Sequence, residues 1–91
     1  MSISVSIPTP LRGLTNNQDT IDLDAATIEE MIDALDGKFP GVKDRLIDPQ
    51  GNLRRFVNFY VNGEDVRFLE DKKTVLKTND EVSIVPAIAG G

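Results

Sequence analysis

The sequence predicts an α+β fold in which one main helix packs across a mixed sheet of four to five strands. Three observations indicate it: two short segments of alternating apolar residues at the start, a stretch of helical periodicity after them, and further strand-like segments in the second half. The chain has 91 residues, of which 40% are apolar and 27% charged. This composition is typical of one small globular domain.

Two strands are predicted near the N-terminus. The first alternates with serines and places three β-branched residues on one face: Ile3, Val5 and Ile7. Pro8 and Pro10 end this strand, because neither can donate a ladder hydrogen bond. Ile21 and Leu23 alternate with polar residues in the same way. The two segments are therefore expected to form a hairpin with a long loop.

A helix is predicted next. Its apolar residues recur at helical spacing and form one stripe: Ile28, Met31, Ile32, Leu35 and Phe39. Thr27 and Glu30 match a capping box, in which the Thr hydroxyl accepts from the Glu30 amide and the Glu side chain reaches back. Pro40 and the glycines around it stop this helix. A short helical turn is predicted at residues 42–46, before a turn at residues 48–52.

The second half predicts a hairpin and a final strand. Residues 53–61 are the most strand-like segment, and Asn62-Gly63 suits a two-residue type I′ turn because both residues tolerate positive φ. Residues 64–68 are expected to return as the paired strand. A last strand is expected at residues 81–86, with two residues facing inward: Val82 and Ile84. This order of elements resembles that of the ubiquitin-like β-grasp.

Composition excludes several classes of function. Fifteen acidic and ten basic residues give a net charge of −5, which argues against nucleic acid and anionic membranes as partners. The chain has no Cys and no His, so it lacks a thiol nucleophile, the usual general base and the usual zinc ligands. We therefore expect no catalytic residue, no bound metal and no bound cofactor. With no signal peptide or membrane-spanning stretch, a cytoplasmic location is expected.

The C-terminal residues are the main candidate for a function. We expect residues 1–86 to form the folded domain and residues 87–91 to form a flexible tail. Because neither Gly90 nor Gly91 has a side chain, this end of the chain can pass through a channel that is too narrow for other residues. The tail before them, Ala87, Ile88 and Ala89, is expected to lie extended in a partner's groove. The Gly91 carboxylate is then the reactive group, and a partner supplies the catalysis.

Three stretches resemble the prokaryotic ubiquitin-like sulfur-carrier proteins, namely the small subunit of molybdopterin synthase, the thiamine-pathway carrier and the cysteine-pathway carrier. The tail PAIAGG is similar to the closing motif of that family. Residues 5–12 (VSIPTPLR) and 55–68 (RFVNFYVNGEDVRF) are similar to its cysteine-pathway branch in particular. The resemblance covers nearly the whole chain.

The resemblance implies a mechanism and a set of partners. An ATP-dependent activating enzyme adenylates Gly91, and sulfur then replaces the AMP to leave a C-terminal thiocarboxylate. In the cysteine branch, a pyridoxal-phosphate-dependent cysteine synthase uses that sulfur to form cysteine attached to the carrier. A zinc metallopeptidase then releases the cysteine. ATP, pyridoxal phosphate and zinc are thus expected in the partner enzymes.

One surface of the predicted strand at residues 53–61 is a candidate docking site. Phe56 and Tyr60 would face outward if the other face packs in the core, and exposed aromatic residues favour interfaces. The alternative is burial under a loop or a reversed strand face. Three arginines could pair with an acidic partner, although such residues are more often only solvated: Arg54, Arg55 and Arg67. The carboxylates of the N-terminal half are better explained by helix capping than by a metal site: Asp22, Asp24, Glu29 and Glu30.

The sequence is also compatible with other functions. The same adenylation begins sulfur carriage for molybdopterin or thiamine synthesis, and it also begins conjugation of Gly91 to lysines of target proteins. The apolar residues before Gly90, without arginines, favour sulfur carriage. A plain β-grasp binding module, whose terminus has no chemical role, is the last alternative.

Overall fold

In the computed structural model, residues 2–86 are described, and they form an α+β fold with a five-stranded mixed sheet. The strands are β1 (Ile3–Ser6), β2 (Thr20–Leu23), β3 (Val57–Val61), β4 (Glu64–Asp65) and β5 (Glu81–Pro86). The α-helices are α1 (Ile28–Lys38) and α2 (Val42–Leu46). Short 3₁₀ helices cover Thr9–Leu14, Val66–Phe68 and Asp71–Lys73. The predicted fold class is confirmed.

The strand order across the sheet is β2-β1-β5-β3-β4. The β1–β5 pair in the middle is parallel, whereas β1–β2, β3–β5 and β3–β4 are antiparallel. The chain can enter β5 in parallel with β1 because a long connection, which includes α1, separates them. The N-terminal hairpin, the crossover helix and the later strands therefore follow the predicted order.

The core lies between one face of the sheet and α1. Period-two alternation in the strands and helical spacing in α1 direct their apolar side chains to the same side. The buried apolar side chains of these elements are Ile3, Val5, Ile21, Leu23, Ile28, Met31, Ile32, Leu35, Phe59, Val61, Val82 and Ile84. The predicted inward faces are thus confirmed.

Two local predictions, the capping box of the helix and the two-residue hairpin turn, are confirmed at atomic detail. Thr27 is the N-cap of α1, and its side chain accepts from the Glu30 amide at 3.2 Å. Glu30 Oε1 reaches back and accepts from the Ala26 amide at 3.3 Å. In the β3–β4 turn, Asn62 and Gly63 have φ values of 51° and 90°, the positive values that a type I′ turn requires.

Two predicted strands are shorter than expected. Residues 53–56 do not belong to β3, because the Val57 amide donates to the Arg54 carbonyl at 3.2 Å and closes a turn there. The strand predicted at residues 64–68 ends after two residues. Asp65 Oδ1 accepts from the Arg67 amide at 2.9 Å, and this contact turns the chain into the 3₁₀ helix that follows.

Candidate functional site

The last described strand ends beside the first residue of β3. In the antiparallel β3–β5 register, Pro86 faces Val57 and Val85 faces Asn58. The chain therefore reaches residue 86 next to the turn that precedes β3. The residues predicted to enter partner active sites (Ala87, Ile88, Ala89 and Gly90) and the predicted sulfur-carrying Gly91 lie outside the described residues.

The two candidate docking aromatics differ in exposure. Phe56 is 61% exposed and lies in the turn before β3, not in the strand itself. Tyr60 is half-buried on β3, where it faces Ser83 of β5 on one side and Asp65 of β4 on the other. The predicted outward face of β3 is confirmed, since Phe59 and Val61 are buried. The docking role of Phe56 and Tyr60 stays a prediction.

Val85 adds an apolar side chain to this surface that the sequence analysis did not single out. It is 41% exposed and lies two residues from Ser83, the β5 partner of Tyr60. Residues 83 and 85 share the outer face of β5, because Val82 and Ile84 face the core. The same alternation that identified Val82 and Ile84 as inward could have identified Val85 as an outward apolar residue at the strand end.

A cleft lies beside the first residues of β3. Its volume is about 370 Å³, and its lining includes three arginines, Arg54, Arg55 and Arg67, together with Val57 and Asn58. Two of the arginines precede β3, and the third follows β4. The hairpin formed by these strands therefore brings together basic residues that are twelve or more positions apart in the sequence.

Arg67 is held in this cleft by Asp65. The Arg67 Nη2 atom donates to Asp65 Oδ2 at 2.6 Å, and Nε lies within 3.2 Å of both carboxylate oxygens. These hydrogen bonds are the main reason that the pKa of Asp65 lies below its ordinary value and the pKa of Arg67 above its own. The pair therefore stays charged over the physiological range of pH.

Neither a metal site nor a membrane-spanning helix is found in the part of the chain that the structure describes. Over residues 2–86, no three carboxylates are grouped so that they could hold a metal ion. No helix within this range is long and apolar enough to cross a membrane. The carboxylate of Glu30 contributes to the start of α1, as its capping role requires.

Comparisons with known proteins relate the whole chain to small carrier proteins. The model of the ThiS family matches residues 5–91. The sulfur carrier protein CysO of Mycobacterium tuberculosis is 44% identical over 93 aligned positions, which cover all of both chains. The small archaeal modifier protein 3 of Haloferax volcanii is 35% identical over 68 positions, which cover 75% of this chain and 73% of that protein.

A solved structure agrees with the sequence relationship. The crystal structure of the Amycolatopsis orientalis BexX/CysO complex contains a chain that superimposes with a TM-score of 0.92 at 42% identity. The match covers 98% of this chain and 99% of that one. This protein thus shares its fold, and 42% of its aligned residues, with a chain of that complex.

Proposed function

The chain belongs to the ThiS family, and on that premise we propose that it is a sulfur carrier for cysteine biosynthesis. Its C-terminal glycine, Gly91, is adenylated and converted into a thiocarboxylate that donates sulfur. The observation that carries the proposal is the full-length similarity to the sulfur carrier protein CysO, at 44% identity. The Gly90-Gly91 ending supplies the group on which the chemistry takes place.

The proposed activation has two chemical steps. A carboxylate oxygen of Gly91 attacks the α-phosphorus of ATP and displaces pyrophosphate, so the glycine becomes an acyl adenylate. Sulfide then attacks the acyl carbon and displaces AMP, which leaves the thiocarboxylate. The carrier has no His or Cys to assist either step. Both steps therefore belong to an ATP-dependent activating enzyme that also handles sulfur transfer.

The proposed donation restores the carrier. In a pyridoxal-phosphate-dependent cysteine synthase, the thiocarboxylate sulfur forms a bond to the β-carbon of an activated serine, whose leaving group departs. Rearrangement leaves cysteine joined to Gly91 through an amide. A zinc metallopeptidase hydrolyses that amide, which releases cysteine and regenerates the Gly91 carboxylate. Pyridoxal phosphate and zinc are cofactors of these partners in the proposal, and the carrier itself binds none.

The fold and a related complex support a carrier that acts while it is bound to partner enzymes. The BexX/CysO complex supports the expectation that a carrier of this type acts while bound to another protein. In this chain, Phe56, Tyr60 and Val85 provide exposed or half-exposed apolar surface near the end of β5. We propose that Phe56 and Tyr60 contact the partner while Ala87, Ile88, Ala89 and Gly90 enter its active site.

Reconstitution with purified components tests the proposal. The chain is incubated with the activating enzyme of the same organism, ATP and sulfide, and its intact mass is then measured. The expected product carries one sulfur in place of one oxygen at the C-terminus. A variant that lacks Gly90 and Gly91 is the control, and it should stay unmodified while remaining folded. If the full-length chain stays unmodified although the enzyme preparation is shown to be catalytically active, the proposal is contradicted.

Conjugation to target proteins is the second candidate function. Similarity to the small archaeal modifier protein 3 of Haloferax volcanii favours it. Here the activated Gly91 forms an isopeptide bond with a lysine of another protein. Tryptic digestion of total cell protein followed by peptide mass spectrometry distinguishes the two, because Lys77 is the last basic residue of the chain and a modifier therefore leaves residues 78–91 attached to target lysines. Carriage for molybdopterin or thiamine synthesis differs only in the acceptor of the sulfur, which incubation of the thiocarboxylate form with each candidate synthase and its substrate identifies.

A further inference from the structure

The arginine-lined cleft lies where a partner must approach. Pro86 faces Val57, and Val57 lines the cleft. An extended chain advances at most about 3.5 Å per residue, so the residues after Pro86 can reach only about 17 Å. An enzyme that acts at Gly91 must therefore bring its surface close to Pro86. The residues beside Pro86 on β3 then become part of the interface.

Among residues 2–86, Arg55 is the cleft arginine whose side chain has no hydrogen bond or ion pair. This side chain is exposed. Phe56, its neighbour in the turn, is 61% exposed. A cation without a partner beside an exposed aromatic residue offers both a charged contact and an apolar one to the same protein.

The other two arginines of the cleft are fixed in place. Arg54 Nε donates to the Asp44 carbonyl at 2.9 Å, which leaves its two terminal nitrogens without a bond inside the described range. Arg67 is paired with Asp65. Three arginines against Asp65 and Asp71 leave one positive charge in excess in the cleft, although the whole chain carries −5. The local charge is thus opposite to the overall charge.

We infer that the cleft receives an Asp or Glu side chain from the rim of the partner channel that takes residues 87–91, and that Arg55 is its main contact. A guanidinium binds a carboxylate through two parallel hydrogen bonds, which fixes orientation as well as position. Arg54 contributes a second, pre-positioned cation. The contact orients the carrier so that its C-terminal residues point into the channel. This inference rests on the proposed function, since it requires an enzyme that acts on Gly91.

Binding measured without ATP tests the inference separately from the chemistry. Isothermal titration calorimetry gives the Kd of the full chain for the activating enzyme at low and high salt. Arg55→Glu is expected to raise the Kd on the order of tenfold or more, because a carboxylate then faces the partner's carboxylate. The salt dependence of binding should also become weaker. ATP–pyrophosphate exchange on the same samples reports whether Gly91 is adenylated.

Lys38→Glu is the matched control. It makes the same change in charge, but Lys38 lies near β2, at the opposite edge of the sheet from β3 and β4. Its Kd should stay within about twofold of that of the unchanged protein, as expected for a residue outside the interface. Equal weakening by both variants would show only general electrostatic attraction and would overturn the inference. An unchanged Kd for Arg55→Glu would also overturn it.

A charge exchange identifies the contact itself. Each carboxylate at the rim of the partner channel is replaced in turn by Arg and assayed with Arg55→Glu. One such replacement should restore binding to Arg55→Glu while weakening binding to the unchanged protein. If none restores it, Arg55 does not pair with a rim carboxylate. Adenylation that fails while Arg55-dependent binding persists contradicts the proposed function alone.

Discussion

Pro86, the last residue of β5, lies opposite Val57, the first residue of β3, in the antiparallel β3–β5 pair. This register links the fold to the proposed site. The strand that leads to residues 87–91 ends beside the turn that carries Arg55 and Phe56. A partner that binds the C-terminal residues therefore meets these side chains as well.

Gly90→Val should block activation and leave the fold intact. A β-branched side chain at Gly90 is expected to clash in a channel shaped for glycine, whereas the last strand, β5, ends at Pro86. ATP–pyrophosphate exchange should fall to background, and the circular dichroism spectrum should not change. Normal exchange by the variant would show that the channel accepts side chains.

Tyr60→Ala should weaken binding to a partner enzyme by more than about 1 kcal/mol, as for an interface anchor. Tyr60 is half-buried on the outer face of β3 and lies close to exposed Val85. The Kd measured by calorimetry checks this value. Val75→Ala is the control, since Val75 is 62% exposed but lies beside Thr27 at the start of α1. If both variants bind equally well, Tyr60 is not part of the docking surface.

Thr27→Ala should lower the free energy of unfolding by about 1 kcal/mol, because the α1 amide of Glu30 loses its side-chain acceptor. Urea denaturation followed by circular dichroism measures the change. Thr78→Ala serves as the control, since Thr78 is exposed and its side chain makes no hydrogen bond in the described range. A loss of similar size in both variants would mean that the cap contributes nothing specific.

Asp80 should make the stability depend on pH. Its carboxylate accepts from the Lys77 amide at 2.8 Å and from Asn62 Nδ2 at 2.9 Å. The backbone hydrogen bond from Lys77, and then the one from Asn62, hold the pKa of Asp80 below its ordinary value. The carboxylate therefore stabilises the fold above the unfolded-state pKa of about 3.9. This contribution is lost as the pH falls through the lower pKa of the folded state.

Asp80→Asn should therefore lower the free energy of unfolding at neutral pH by up to about 1 kcal/mol, since the carboxylate is only partly buried. The difference from the unchanged protein should shrink as the pH falls below about 4. Urea denaturation at several pH values measures it. Asp19→Asn is the control, because the Asp19 side chain is exposed and makes no hydrogen bond in residues 2–86. A difference that is independent of pH would contradict this account.

The elements that the sequence predicted well depend on local patterns. Three patterns each predict an element within a few residues: the serine alternation around Val5, the helical spacing around Met31 and the Asn62-Gly63 turn. The structure confirms all three elements. The predicted start of β3 and the predicted end of β4 were wrong because individual hydrogen bonds outside the alternation pattern set them. The backbone hydrogen bond from Val57 to Arg54 closes a turn before β3, whereas a side-chain contact ends β4. The Asp65 carboxylate, which accepts from the Arg67 amide, is such a contact.

The candidate site was only partly predictable for a similar reason. The C-terminal glycines are visible in the sequence, whereas the arginine cleft exists only because the β3–β4 hairpin brings Arg54 and Arg55 near Arg67. No sequence pattern indicates that Asp65 pairs with Arg67 while Arg55 has no partner among residues 2–86. That distinction requires the register of the hairpin.

The intact mass of the protein, purified under mild conditions from its native host, tests sulfur carriage most directly. The proposal predicts a population in which sulfur replaces one oxygen of the Gly91 carboxylate, and a second population that carries one added cysteine residue. Discovery of the chain joined through Gly91 to lysines of larger proteins, with neither of these forms present, would contradict sulfur carriage and favour the modifier function.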